Sequence, residues 1–180
     1  MSKTLKTFVA GLSLALGLTA VAEPVRSQTT DPIPAIRKQY AEINKRAARY
    51  RKVKKQLSGY SLEGGELVAY LDRGTIVKIV ARHYGEGGNT VVEHYYRNGQ
   101  LIFVFERISH YDRPMSGKAI RTIDNRYYFQ DHNLTRWIDE NGNSVSQNAV
   151  YRLKESELLE HSNTFLTGAR SSKRIVEANN

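Results

Sequence analysis

The sequence predicts an α+β fold: an antiparallel meander sheet of five to seven strands, with a long N-terminal helix and a C-terminal helix packed on one face. Three observations lead there. Stretches of helical period stand near both ends of the chain. Between them lies a block of short runs rich in β-branched and aromatic residues. Turn residues, above all Asn98-Gly99, separate those runs. At 180 residues with 40% hydrophobic and 25% charged content, the chain has the makeup of one ordinary globular domain.

The first segment reads as an address. Lys3 and Lys6 precede an uncharged run from Phe8 to Val21, and Ala20-Val21-Ala22 supplies a small-x-small cleavage pattern. The run is shorter than the roughly 20 apolar residues that a membrane-spanning helix needs. Residues 1–22 are therefore expected to be a cleavable signal peptide, cut near Ala22, with export to the periplasm or the exterior. Losing Lys3 and Lys6 with it lowers the formal charge from +9 to +7. No transmembrane segment is expected in the mature chain. The sequence contains no cysteine, which excludes disulfides, thiolate metal sites and a cysteine nucleophile.

Residues 23–31 are polar and aperiodic and read as a flexible leader, with a single domain expected over 32–168. Asp31-Pro32 and Pro34 signal a helix start. Ile36, Tyr40, Ile43, Ala47, Tyr50 and Leu57 then trace one apolar stripe, which predicts a helix of about twenty residues ending near Ser58-Gly59. Strands are expected over 66–71, 75–84, 90–96, 101–108, 126–130 and 134–138. Residues 149–166 return to helical spacing, and 169–180 read as a loose tail. No repeat of 20–50 residues is legible along the chain.

Closing a hairpin at Asn98-Gly99 pairs Tyr96 with Leu101, His94 with Phe103 and Val92 with Phe105. That register gives a dry face carrying those six residues and an amphipathic face carrying Glu93, Tyr95, Ile102, Val104 and Glu106. Lys78, Arg82 and Tyr84 of the preceding strand join the second face. Lys78, Arg82, Tyr84, Glu93 and Tyr95 are accordingly the candidate ligand face, since tyrosine rings beside cations suit sugars, peptides or stacked bases.

The charge is concentrated. Nine basic residues lie between Arg37 and Lys55 against Glu42 alone, whereas residues 56–180 are balanced. A cluster of this kind attracts anions as a scattered charge would not. Lys45, Arg46, Arg49, Lys52 and Lys55 are the candidate anion-binding set. The partners expected outside the cytosol are an anionic envelope component or an acidic protein, with nucleic acid disfavoured.

Catalytic and metal signals are sparse. His83 and His94 can share a sheet face, but Glu93 points the other way, and no HExxH spacing occurs. Ser109, His110 and Asp112 are near neighbours on one strand end and not the distant segments from which triads are built. No cofactor, metal or catalytic residue is assigned. Asn133-Leu-Thr135 has the form of a glycosylation acceptor, relevant only in a eukaryotic secretory route.

The segment Glu93-His-Tyr-Tyr-Arg-Asn-Gly-Gln-Leu-Ile-Phe-Val-Phe-Glu106 resembles the Tyr-x-Asn-Gly-x-Leu hairpins of small exported bacterial proteins of unknown function. It is also similar to a single MORN-like hairpin. The resemblance implies a bacterial exported origin and transfers no functional residue. Together these readings point to an exported, non-catalytic binding or accessory module. The alternatives are a small hydrolase-like enzyme, using histidine and carboxylate groups on the sheet, and a nucleic-acid binder.

Overall fold

The computed structural model describes residues 31–178; the expected signal peptide and nearly all of the leader lie outside them. The described residues form an α+β body in the order α1 (Ile33–Lys45), β1 (Arg51–Ser58), β2 (Gly65–Asp72), β3 (Thr75–Gly85), β4 (Gly88–Arg97), β5 (Gln100–Tyr111), β6 (Ala119–Gln130), β7 (Asn133–Ile138), α2 (Ala149–Arg170) and β8 (Ile175–Glu177). One mixed eight-stranded sheet runs β7-β6-β5-β4-β3-β2-β1-β8. Strands β1 to β7 meander antiparallel, whereas β8 lies parallel to β1. Among the described residues no helix is long and apolar enough to cross a membrane.

The N-terminal helix is shorter than the apolar stripe predicts. It has 13 residues, starts with the Asp31 carboxylate accepting the Ile33 N–H at 3.0 Å, and passes through a 3₁₀ turn (Ala47–Arg49) into β1. The expected helix fails after Lys45 because Val53 and Leu57, four residues apart, fit a strand's period of two as well as a helical turn. Pairing β1 to β2 from Arg51↔Leu71 to Leu57↔Gly65 decides between the two. The basic run is thereby divided between a helix, a turn and a strand.

The two helices also lie on opposite faces, not on one. Ile33, Ile36 and Ile43 of α1 pack with Tyr50, Tyr95, Ile102, Phe103 and Tyr128. Tyr151, Leu158, Phe165 and Ala169 of α2 pack with the alternate residues, among them Leu67, Ile79, Ala81, Val92, Tyr96, Val104 and Tyr127. Each buried aliphatic or aromatic anchor contributes about 1.5–3 kcal/mol, so both faces are held apolar-to-apolar.

Three hairpins share one build. Arg73-Gly74, Asn98-Gly99 and Asp131-His132 all have positive φ at both positions, as a two-residue I′ loop requires. Three residues beyond each loop a β-bulge inserts Val77, Ile102 or Thr135. Opposite each bulge stands a tyrosine, Tyr70, Tyr95 or Tyr128, and all three face α1. The sequence conceals this threefold unit because only one of its loops reads Asn-Gly.

The bulge at Ile102 corrects the predicted register. Tyr96 does face Leu101, but His94 then pairs with Val104 and Val92 with Glu106, not with Phe103 and Phe105. Phe103, Phe105 and Arg107 therefore point toward α1, and Val104 and Glu106 toward α2.

Within the expected loose tail, residues 169–178 are ordered into the fold. α2 is capped by Asn148, which accepts the Tyr151 N–H at 3.1 Å, and extends to Arg170. Strand β8 then docks against it with Val176 buried. Gly168 permits this approach: a Cβ there would lie 2.4 Å from Val176 Cγ2. Gly168→Ala is expected to lower stability by about 1–3 kcal/mol through overpacking and to free β8, read as a lower urea midpoint and faster amide exchange over residues 175–177.

Candidate functional site

The candidate ligand face is assembled by the β2–β3–β4 ladder, in which Tyr70, Lys78 and Tyr95 align across three strands. Lys78, Arg82, Tyr84, Glu93 and Tyr95 all lie on the α1 side, but they do not form one open surface. Lys78 is buried, and its Nζ donates to Asn44 Oδ1 and to Glu93 Oε2, both at 2.9 Å. The buried Tyr95 hydroxyl donates to the same carboxylate and accepts from Asn44 Nδ2 at 3.0 Å. Burial, with Glu93 alongside, pushes the Tyr95 pKa far up, so that hydroxyl stays a neutral donor. Asn44 comes from the last turn of α1, so the helix closes this network as it docks. Arg82 sits outside it, paired with Glu66 at 2.7 Å with both side chains half-exposed, and Tyr84 is exposed at the strand end.

The candidate anion-binding residues are likewise divided. Lys45, Arg46, Arg49 and Lys52 occupy the corner where α1 turns into β1, and all four are exposed. Arg46 pairs with Asp72 at 3.3 Å, and Lys52 lies 5.3 Å from the centre of the Tyr70 ring. Lys55 faces the other way. Its Nζ donates to the carbonyls of Ser171, at 2.7 Å, and Lys173, where a cation also suits the C-terminal end of the α2 dipole. Lys54 is exposed on the same face as Lys52, whereas Arg51 shares the face of Lys55; among the described residues no carboxylate lies within ion-pair reach of Lys45, Arg49, Lys52 or Lys54.

Two cavities of about 550 Å³ flank the sheet. One opens under α2 at the ends of β3, β4 and β5, with Tyr60, His83, Glu106, Glu157 and His161 in its wall. His83 and His161 both pack on Tyr60 and Phe165, with ring centres 5.4 to 6.5 Å apart. Burial holds His83 down at about 4 and lowers His161 as well. His94 is sealed behind them, edge-on to Phe165 at 5.4 Å, with neither ring nitrogen hydrogen-bonded and its pKa pushed down to about 3 by burial. The Glu106 carboxylate accepts from Asn125 Nδ2 at 3.0 Å and the Tyr127 hydroxyl at 2.8 Å. Glu93 lies across the sheet from these histidines. His83, His94, Glu93 and Glu106, the strand-borne groups that a hydrolytic reading would use, therefore do not converge, and no cluster of three metal-ligating side chains occurs among the described residues.

The second cavity lies beneath α1 and was not legible in the sequence. It is walled by Ile36, Arg37 and Tyr40 of α1 and by Glu93, Phe103, Phe105, Arg107, Asp124, Arg126 and Tyr128 of the sheet. Phe105, Arg107 and Arg126 come together because the Ile102 bulge turns β5 over, and Phe105 then pairs with Arg126. No sequence motif marks it; alternation from the Asn-Gly loop assigns Phe105 to the wrong face. No family model matches the chain, and neither a curated protein nor a solved structure matches it.

Proposed function

We propose that the chain is an exported, non-catalytic binding or accessory module whose basic corner engages an anionic component of the cell envelope or an acidic protein. The observation that carries this reading is the corner where α1 enters β1. Exposed Lys45, Arg49, Lys52 and Lys54 gather there without carboxylate partners among the described residues. Unpaired cations on adjoining elements sum to a field that a polyanion meets before it touches the surface. Export rests on the signal pattern of residues 1–22.

The test is co-sedimentation with vesicles containing phosphatidylglycerol, against phosphatidylcholine alone. Binding is expected only to the anionic vesicles. It should fall steeply between about 0.01 M and 0.15 M salt, as the screening length contracts from about 30 Å to about 8 Å. Replacing Lys45, Arg49, Lys52 and Lys54 together by glutamine should abolish it without changing the melting curve. Binding that ignores salt, or survives the fourfold substitution, overturns the role of the corner.

A further inference from the structure

We infer that the cavity beneath α1 is a binding site for a small organic acid with a flat apolar body, its carboxylate or sulfonate received by Arg126 with Arg37 beside it. The cavity is separate from the basic corner, and the inference does not rest on the function proposed there.

Charge accounting within the wall selects an anion. Five charged side chains line the cavity. The Glu93 carboxylate is already held by Lys78 at 2.9 Å, and Asp124 is gripped by Arg107 through two bonds of 2.8 and 2.7 Å. That bidentate pair holds Asp124 below the usual carboxylate range. Among the described residues, no carboxylate lies within 4 Å of the guanidinium of Arg126 or Arg37. Arg37 lies against the Tyr128 hydroxyl, which raises its pKa further. Two cations thus lie outside ion-pair distance of any described carboxylate, with Asp124 acting on Arg126 and Asp31 on Arg37 only at longer range, while both acids of the wall are held at contact.

Placement makes Arg126 the receptor: it is half-buried in the cavity wall, whereas Arg37 beside it is exposed. The Arg126 guanidinium carbon lies 5.8 Å from the centroid of the Phe105 ring, directly across the β5–β6 ladder, and that of Arg107 lies 5.3 Å from the same ring. A guanidinium presents a planar N–H fork that matches the two oxygens of a carboxylate or sulfonate. The rest of the lining is apolar or aromatic: Ile36, Tyr40, Phe103 and Tyr128. Tyr40 and Phe103 meet edge to face at 5.4 Å, and Phe103 packs on Tyr128 at 5.0 Å, so the wall is a fixed aromatic surface. A volume of about 550 Å³ suits a ligand of modest size.

Isothermal titration with naphthalene-2-carboxylate and its uncharged isostere naphthalene-2-carboxamide separates charge from shape. The acid is expected to bind once and saturably, and the amide at least about tenfold more weakly, the difference that one charge-assisted contact supplies. Arg126→Gln should weaken the acid about tenfold and leave the amide unchanged. Arg126→Lys, which keeps the charge but loses the fork, should fall between. A Lys52→Gln/Lys54→Gln chain should bind both probes as the parent does. The proposal is overturned if no saturable binding occurs, if acid and amide bind alike, or if both Arg126 variants retain full affinity. It is equally overturned if the Lys52/Lys54 variant loses the acid, which would move the site to the basic corner.

Discussion

Lowering the pH from about 6.5 toward about 4 is expected to strip several kcal/mol from the folded state, through the histidines packed under α2. His83 is held at about 4 and His94 at about 3, both chiefly because burial penalises the charged ring. An unfolded histidine takes its proton near 6.5. Below that value the unfolded chain binds protons that the native chain refuses, so stability falls as pH falls. The loss is up to about 1.4 kcal/mol per unit for each such histidine, and it levels off once the native ring also protonates. His161 shifts the same way, opposed in part by Glu157 and Glu160 and reinforced by Lys154. Urea denaturation across pH 7 to 4.5 should therefore show an uptake of about two or more protons on unfolding near pH 5. His94→Leu should remove about one of them. It should also cost little at pH 7, because both ring nitrogens are buried without a hydrogen-bond partner and an apolar side chain has no such debt. A flat pH profile, or a His94→Leu chain with the parent's slope, would show that α2 does not seal these rings.

The same seal explains which parts of the fold could be read from residues alone. The Asn98-Gly99 loop, the shared face of His83 and His94, and the helix beginning at Ala149 follow from local chemistry, and all three are present. Features that depend on a partner element were not legible. Val53 and Leu57 are compatible with either period, and only the edge offered by β2 draws them into a strand. Val176 looks like part of a polar tail until Gly168 opens a place for it on α2. A bulge carries no composition of its own, so one inserted residue at Ile102 exchanges the faces of Phe103, Val104, Phe105 and Glu106.

The candidate sites divide along the same line. That Lys78, Arg82, Tyr84, Glu93 and Tyr95 share one side of the sheet follows from strand alternation upstream of the bulge. That Asn44 would cover three of them does not, because the position of α1 is set by Ile33, Ile36 and Ile43 finding the tyrosines of the hairpins. The cavity of Arg37, Arg107 and Arg126 needs both the helix and the inverted β5, so neither element predicts it alone.

Glu93→Gln is expected to be among the most damaging single changes on the α1 side, costing about 3 kcal/mol, the low end of the range for stranding one member of a buried ion pair, because the Glu93 side chain keeps 22% of its surface exposed. Lys78 is only 6% exposed, and its ammonium lies 4.9 Å from the Tyr95 ring centre, with Asn44 Oδ1 as the other oxygen in reach. Glutamine keeps the shape and an acceptor but removes the countercharge, so the ammonium must drag in water or lift α1. Lifting α1 would also uncover Ile36 and Ile43, which is why the loss should appear as faster amide exchange over residues 33–45 as well as a lower urea midpoint. The partner test is the double substitution Lys78→Met/Glu93→Gln. Removing the cation as well takes away the uncompensated charge, so the double variant should recover most of what the single one loses, giving a coupling energy of about 2 kcal/mol or more in the cycle. Additive losses would mean that the pair is wet enough to be screened, and that α1 is held by its isoleucines and not by the charge beneath it.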